Sequence, residues 1–180
     1  MPCFGTTKRT KSNAEKLSEA YSVSFLEVDI TEAVKRHFAD IGQDPNVLDV
    51  TFENSQARER TQVLMDIANK NSALVIGTGD LSELALGWAT YNGDHMSMYA
   101  INSSIPKTLV RYITKFEADN STGVLKTALL DILDTPVSPE LLPPKDGDIS
   151  QKTEEIVGPY ELHDFFLYYL VRYGFTPLKI

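Results

Sequence analysis

The chain has 180 residues, of which 42% are hydrophobic and 23% are charged, and its formal net charge is -8 at pH 7. The length suits a single domain with a sizeable core, and the acidic balance argues against a general affinity for nucleic acid. Local binding of nucleotide phosphates remains compatible with that charge. The single cysteine excludes an internal disulfide. The sequence shows no signal peptide and no apolar run of about 20 residues, which predicts a cytoplasmic protein without a membrane partner.

The beginning of the chain predicts short elements of both kinds. Residues 1–7 are typical of the end of a strand that enters a loop, and Ser12 is a candidate N-cap for a helix over residues 13–21. The alternating segment 24–28 predicts a strand. A helix capped by Asp29 or Thr31 should follow, and it should end before the Asp44-Pro45 pair.

The middle of the chain predicts a parallel sheet. The longest helix is expected over residues 51–71, and the apolar run 73–76 predicts a buried parallel strand. A glycine turn at residues 77–79 leads from that strand to a helix over residues 81–88. Strands that alternate with helices in this way indicate an α/β fold.

The last third predicts helices separated by a loop. Helices are expected from Pro106 to about residue 116, over residues 124–133 and over residues 160–173, with Gly174 as the stop. The proline-rich residues 135–150 predict a surface loop.

The strand, glycine turn and helix of residues 73–83 form the segment with the most functional information. Ligands of open α/β sheets bind at the carboxyl ends of the strands, where Thr78 offers a hydroxyl and Glu83 a carboxylate that could hold Mg²⁺. The alternative is purely structural, with Asp80 as N-cap and Glu83 as its capping-box partner. The spacing alone favours the structural interpretation.

Two arginines on the long helix cannot easily face one site. Asn54 and Arg58 are four positions apart and share a face, whereas Arg60 points roughly opposite to Arg58. The alternative is a solvated helix face on which Glu53 and Glu59 pair with these arginines.

Aromatic and basic residues follow the glycine turn. Trp88 and Tyr91 could enclose a nicotinamide or adenine ring, although a core position is the commoner fate of a lone Trp. Asn92-Gly93-Asp94 predicts a turn with Asp94 at its tip. A lysine at the start of a helix, as at Lys107, opposes the helix dipole and gives a weak indication of a phosphate contact.

Together these segments resemble NAD synthetases, most closely the synthetase domain of the glutamine-dependent enzymes. The matching motifs are Met-Pro-Cys-Phe-Gly-Thr at residues 1–6, Asn54-Ser-Gln-Ala-Arg58-Glu-Arg60, Gly77-Thr-Gly-Asp-Leu-Ser-Glu-Leu-Ala-Leu-Gly-Trp-Ala-Thr-Tyr91, Gly93-Asp-His-Met-Ser97, Pro106-Lys-Thr-Leu-Val-Arg111, Ser150-Gln-Lys-Thr-Glu-Glu155 and Gly158-Pro-Tyr-Glu-Leu-His-Asp-Phe-Phe166. The resemblance runs along residues 1–180. It implies a partial NAD synthetase domain with the Rossmann-like, adenine-nucleotide alpha-hydrolase-like fold, a parallel sheet with flanking helices.

The family activity implied by the resemblance is NAD biosynthesis by an ATP-dependent carbon–nitrogen ligase. The carboxylate of deamido-NAD⁺ attacks the α-phosphate of ATP, pyrophosphate leaves, and ammonia displaces AMP from the adenylate to give the amide. The resemblance implies ATP contacts at Thr78, Lys107 and Ser138, and Mg²⁺ at Glu83. The deamido-NAD⁺ contacts that it implies are Asn54, Arg58 or Arg60, Glu83, Trp88, Ala89, Thr90, Tyr91 and Asp94. No residue is assigned a catalytic role.

The chain departs from the family pattern because the Ser-Gly-Gly-x-Asp-Ser loop is absent from its sequence. The family's amidase domain is absent as well. We therefore expect half a site, and a sheet edge that favours a homodimer. The alternative is a non-catalytic dinucleotide-binding or assembly module. A third hypothesis, a GMP-synthetase-like ligase, is disfavoured by the Gly-Trp-Ala-Thr-Tyr motif.

The absent loop predicts that the purified chain alone forms no NAD⁺ from deamido-NAD⁺, ATP and ammonia. The reason is that the family uses this loop to hold the phosphates of ATP. A coupled assay with an NAD⁺-specific dehydrogenase measures the product, and product formation above the rate of a heat-inactivated sample would contradict the prediction.

Overall fold

A computed structural model describes residues 1–144 and 149–180 of the chain. The helices of the described residues are α1 (Lys8–Ala20), α2 (Thr31–Ile41), α3 (Val50–Lys70), α4 (Leu81–Leu86), α5 (Lys107–Asn120), α6 (Gly123–Asp134), α7 (Thr153–Val157) and α8 (Tyr160–Leu167). The two strands are β1 (Ile76–Gly77) and β2 (Tyr99–Ala100), and α8 continues as a π-helical turn over Tyr168–Arg172.

The strands confirm the predicted parallel arrangement on a smaller scale. β1 pairs with β2 in parallel, with Ile76 opposite Tyr99 and Gly77 opposite Ala100. Helix α4 lies between them in the sequence, so these elements form the β-α-β connection typical of α/β folds. The predicted burial of the run 73–76 is wrong except at Val75, because Leu74 and Ile76 share one face and are 68% and 50% exposed.

Two predictions for the first thirty residues are also wrong. Helix α1 begins at Lys8 rather than at residue 13, because the hydroxyl oxygen of Thr7, not that of Ser12, accepts the N–H of Thr10 at 3.2 Å. Residues 1–7 and 24–28 form no strand pairing with the part of the chain that the structure describes. The alternating pattern of 24–28 needs a neighbouring strand to become a ladder, and no described strand lies beside it.

The long helices follow their predicted bounds closely. The carboxylate of Asp49 caps α3 by accepting the N–H groups of Thr51 and Phe52, and Gly42 ends α2 in the left-handed conformation with φ of 72°. The long α3 carries Asn54, Arg58 and Arg60, so its orientation decides where these side chains point.

The loop after α6 is anchored against α3. Leu141 is buried, and its carbonyl accepts the side-chain N–H of Gln56 at 2.9 Å. The carboxylate of Glu140 accepts the N–H of Thr7 and the hydroxyl of Thr10, which ties the same loop to α1. Residues 145–148 of the predicted loop lie outside the described residues.

An aromatic core holds α2 against α3. Its buried residues are Ile30, Val34, Phe38 and Phe52. The ring of Phe4 lies 5.1 Å from that of Phe52, and the rings of Phe38 and Phe52 lie 5.5 Å apart. Within the described residues, none of the helices has both the length and the apolar character that crossing a bilayer requires.

Substitution of Phe38 by Ala should lower the free energy of unfolding by about 3–5 kcal/mol, because it removes a buried ring and leaves a cavity. Urea unfolding followed by circular dichroism measures the change. The control is Phe116→Ala on α5, whose ring is 61% exposed and should cost under about 1 kcal/mol. Equal losses in the two variants would contradict the assignment of the core.

Candidate functional site

The turn after β1 is fixed by a neighbouring side chain. A Cβ added at Gly77 would collide with the side chain of Ser97, so a larger residue there would require Ser97 to move. The close approach at this turn is thus between the backbone of Gly77 and the side chain of Ser97. Gly79 has more space, since its added Cβ would lie 3.7 Å from a Glu83 oxygen.

Asp80 and Glu83 form the capping box that the spacing favours. The carboxylate of Asp80 accepts the N–H of Glu83 at 3.0 Å, and that of Glu83 accepts the N–H of Asp80 at 3.2 Å. Helix α4 ends at Leu86 rather than at residue 88, because Gly87 adopts the left-handed conformation with φ of 66°. Trp88 therefore lies beyond the helix, at the start of a turn-rich segment.

Lys107 pairs with both carboxylates of this box. Its Nζ lies 2.6 Å from Asp80 Oδ2 and 2.6 Å from Glu83 Oε1, and its side chain is 15% exposed. Burial alone would lower the pKa of Lys107, but the hydrogen bonds to Asp80 and Glu83 outweigh it and raise this pKa above 10.5. The unfavourable place of Lys107 at the start of α5 is thus compensated by carboxylates of the protein itself.

A cavity of about 340 Å³ lies beside Glu83 and gathers most of the predicted dinucleotide contacts. We call it the first cavity. Its predicted lining residues are Asn54, Glu83, Trp88, Ala89, Thr90, Asp94 and Ser138. The lining residues that sequence reasoning did not assign to the site are Val50, Glu53, Gly87, Val137, Pro139, Leu141, Gln151 and Thr153.

Hydrogen bonds join one wall of the first cavity to α3. Thr90 is buried, and its hydroxyl donates to Asn54 Oδ1 at 2.7 Å. The N–H of Thr90 donates to Asp94 Oδ1 at 2.7 Å, within the turn that the sequence predicts around Asp94. Arg58 donates from Nε to the carbonyl of Tyr91 at 3.0 Å. Asn54 and Arg58 thus hold the segment 88–91 from the same face of the helix, as their spacing predicts.

Arg60 and Thr78 lie in a neighbouring cavity. This second cavity of about 230 Å³ is lined by Met1, Arg60, Thr78 and Asp94 among others. Arg60 donates from Nε to the carbonyl of Met1 at 3.2 Å, and burial lowers its pKa. The two arginines therefore face different places, which confirms the prediction from their spacing. A third cavity of about 440 Å³ brings Ser138 to Arg60 and Asp94.

The two aromatic residues do not enclose a common space. Trp88 is half-buried and lines the first cavity, whereas Tyr91 is 76% exposed and lies 6.1 Å from the ring of His95. The sandwich that the sequence suggested is absent from this arrangement, because the turn after Trp88 carries Tyr91 outward.

Glu53 and Gln151 are polar members of the first cavity that sequence reasoning left out. Burial raises the pKa of Glu53, against an opposing hydrogen bond from Gln151. Among the described residues, Gln151 Oε1 finds no hydrogen-bond partner. In the sequence Glu53 enters only the alternative interpretation, as a partner of the arginines, and no spacing pattern connects it with Gln151, which lies far along the chain.

No cluster of three or more His, Cys, Asp or Glu side chains that could hold a metal ion occurs in residues 1–144 and 149–180. Each oxygen of Glu83 already accepts a hydrogen bond, Oε1 from Lys107 and Oε2 from the Asp80 N–H. A metal ion here could therefore take few protein ligands.

Comparison with known proteins gives one family. A family model described as NAD synthase matches residues 1–169. The glutamine-dependent NAD(+) synthetase of Mycobacterium tuberculosis is 44% identical and that of Thermotoga maritima 32% identical, each over 100% of this chain. The chain covers only 27% and 30% of the lengths of these two relatives.

Solved structures support the fold. NMN synthetase from Francisella tularensis matches with a TM-score of 0.77 and 24% identity, over 92% of this chain and 63% of that one. Glutamine-dependent NAD+ synthetase from Acinetobacter baumannii in complex with adenosine diphosphate matches with a TM-score of 0.66 and 23% identity, over 97% and 29%. These likenesses confirm the predicted adenine-nucleotide alpha-hydrolase-like fold.

Substitution of Lys107 by Met should lower the free energy of unfolding at pH 7 by about 3 kcal/mol, because it leaves two carboxylates without their cation. The control is Lys115→Met on the same helix, whose ion pair with Asp119 is more than half exposed and should contribute under about 1 kcal/mol. Urea unfolding measures both values, and similar losses would contradict the role given to Lys107.

The loss of stability in Lys107→Met should depend on pH, and the pKa of Lys107 gives its direction. Because the pKa of Lys107 is raised above 10.5 in the folded chain, its contribution is complete below that pH and is lost as the pH rises through the folded pKa. The difference in the free energy of unfolding between wild type and Lys107→Met should therefore become smaller as the pH rises into the alkaline range.

Proposed function

The chain belongs to the NAD synthase family, and from that premise we propose that it forms part of a site where deamido-NAD⁺ is amidated at the expense of ATP. The observation that carries the proposal is the gathering of Asn54, Glu83, Trp88, Thr90 and Asp94 around one cavity of about 340 Å³. These residues come from separate parts of the sequence, and a cavity of this size suits part of a dinucleotide.

The first cavity would hold the nicotinic acid end of deamido-NAD⁺. Trp88 offers an aromatic surface at its wall for stacking with a planar ring. Thr90 and Asn54 are already hydrogen-bonded to each other at 2.7 Å, so their remaining polar atoms are held in fixed directions. Such preorganised groups orient a ligand at little entropic cost.

ATP would lie in the second and third cavities. Arg60 lines both of them, Thr78 lines the second and Ser138 the third, and Asp94 borders all three cavities. The carboxylate oxygen of deamido-NAD⁺ would then reach the α-phosphate near Asp94. A bond to phosphorus forms as the bond to pyrophosphate breaks, and ammonia then attacks the activated carbonyl as AMP leaves.

The main contribution of the protein to this reaction would be positively charged side chains near the phosphates. Transfer at a phosphate needs positive charge placed around the reacting oxygens more than an acid or a base. Arg60 stays charged despite burial, and Lys107 carries a proton that its two carboxylates secure. We propose both as phosphate contacts: Arg60 lines the second and third cavities, whereas Lys107 lines none of the three and would have to exchange a carboxylate for a phosphate oxygen.

Mg²⁺ that accompanies ATP fits this site with a single protein ligand. Mg²⁺ usually keeps waters and substrate phosphates and takes one or two carboxylates. Glu83 is the carboxylate at the wall of the first cavity, and it would hold the ion once Lys107 turns to phosphate. The ion would supply neutralisation of charge that develops on the phosphate oxygens.

A second candidate function is a non-catalytic binding or assembly module. It is favoured by the exposed side chains of Leu74 and Ile76 beside the small sheet, which a second copy could cover. The homodimer, like a cytoplasmic location, stays a prediction.

Deamido-NAD⁺ should bind the purified chain saturably, and Asn54→Ala or Glu83→Ala should weaken binding about tenfold or more, because each removes a polar contact. Isothermal titration measures the affinities, and light scattering on the same sample gives the mass. The control is Asn69→Ala, an exposed position on the same helix as Asn54.

Two outcomes of this titration would contradict the proposal. Binding that all three variants retain equally would contradict the assigned site. No binding by a well-folded wild-type sample would contradict the proposal that these residues form a dinucleotide half-site by themselves.

A further inference from the structure

A buried carboxylate on α8 lies outside the three cavities. Asp164 is 6% exposed; it lies within the Gly158–Phe166 motif, but it is not among the predicted ligand contacts and lines none of the three cavities. A carboxylate is expensive to bury unless its oxygens are hydrogen-bonded. Its partners therefore show what it holds in place.

Both oxygens of Asp164 accept hydrogen bonds from other helices. Oδ1 accepts the hydroxyl of Ser82, which is fully buried on α4, and Oδ2 accepts the N–H of Thr108 at 2.8 Å. The hydroxyl oxygen of Ser82 accepts the N–H of Lys107 at 2.9 Å. Asp164 thus connects α8 to the first turns of α4 and α5.

This connection replaces a local cap. Pro106, the N-cap residue of α5, forms no side-chain hydrogen bond to the helix. The first N–H groups of a helix need partners, and here Ser82 and Asp164 satisfy those of Lys107 and Thr108 from distant parts of the chain. The negative charge of Asp164 also suits the positive end of the α5 dipole.

The elements that carry Ser82 and Asp164 also provide neighbours of the Lys107 ammonium. Ser82 immediately precedes Glu83, whose carboxylate lies 2.6 Å from Lys107 Nζ. Helix α8 also places the ring of Tyr160 5.6 Å from that Nζ. Helix α8 therefore fixes the backbone of Lys107 through Asp164 and borders its side chain through Tyr160.

We propose that Asp164 is a positioning residue which, through Ser82 and the start of α5, holds the Lys107 ammonium between Asp80 and Glu83, of which Glu83 lines the first cavity. The positioning itself rests on contacts in the chain. Only the further step, in which Lys107 contacts phosphate, rests on the proposed function.

Two variants test the positioning without any ligand. Asp164→Asn keeps the size of the side chain, but one of its two acceptors becomes a donor, and Ser82→Ala removes the link to the Lys107 N–H. The readout is the rate at which acetic anhydride modifies Lys107 in the purified chain, measured by peptide mass spectrometry relative to the exposed Lys35. The matched control is Glu161→Gln, an exposed carboxylate on the same helix.

We expect Lys107 to react about tenfold faster in either variant than in wild type, because weakening the hydrogen bonds from Thr108 and Ser82 to Asp164, or removing the Ser82 acceptor of the Lys107 N–H, loosens the first turn of α5. Glu161→Gln should react as wild type does. The double variant should exceed the faster single variant by little, since both changes break one network.

A residue that only stabilises the fold would give a different result. It would lower the melting temperature and leave the reactivity of Lys107 in the folded chain unchanged. Unchanged reactivity in both variants, with circular dichroism as in wild type, would overturn the proposal. Independent effects that multiply in the double variant would overturn it too.

Titration of ATP into the same samples separates this inference from the proposed function. Faster Lys107 modification together with weaker ATP binding supports both. Faster modification with unchanged ATP binding supports the positioning by Asp164 and contradicts the role of Lys107 as a phosphate contact.

Discussion

The ion pairs of Lys107 with Asp80 and Glu83 are the constraint on which the candidate site depends. Lys107 Nζ lies 2.6 Å from an oxygen of each carboxylate, at the point where the first turns of α4 and α5 meet α8. The N-terminal ends of α4 and α5 carry partial positive charge from the helix dipoles, which would repel a lysine if no negative group lay nearby. The carboxylates of Asp80 and Glu83, which cap α4, remove this repulsion. The same two side chains therefore stabilise the helix start and hold Lys107 in place.

This arrangement explains how an acidic chain could accommodate anionic ligands. The net charge of -8 does not attract phosphates over the whole surface. Cations that are partly buried and fixed, such as Arg60 and Lys107, provide positive charge only where a ligand would sit. Pairing Lys107 with carboxylates keeps it protonated and oriented without a ligand, and a phosphate that bound there would have to replace one of these contacts.

Helix α3 links the core to the cavities. Phe52 packs into the aromatic core, Asn54 borders the first cavity, and Gln56 holds the carbonyl of Leu141 in the loop that carries Ser138. Arg60, further along the helix, reaches the second cavity. Rotation of this one helix would move every one of these side chains, so the core that fixes α3 also determines the geometry of the site. Sites carried by rigid elements hold their geometry better than sites on loops.

The sequence by itself determined the features that arise within a few residues of each other, and its motifs determined the family. The extent of α3, the capping box of Asp80 and Glu83, and the divergence of Arg58 from Arg60 all follow from helical spacing. Tertiary structure alone decided which groups from distant segments meet. Ser82 and Asp164 lie 82 positions apart, and no local pattern reports such a contact. For the same reason, segment 24–28 pairs with none of the described strands, and Tyr91 is exposed while Trp88 lines the first cavity. A β-strand forms only beside another strand, and an aromatic side chain is buried only where other residues cover it. The spacing of residues along the chain does not identify these partners.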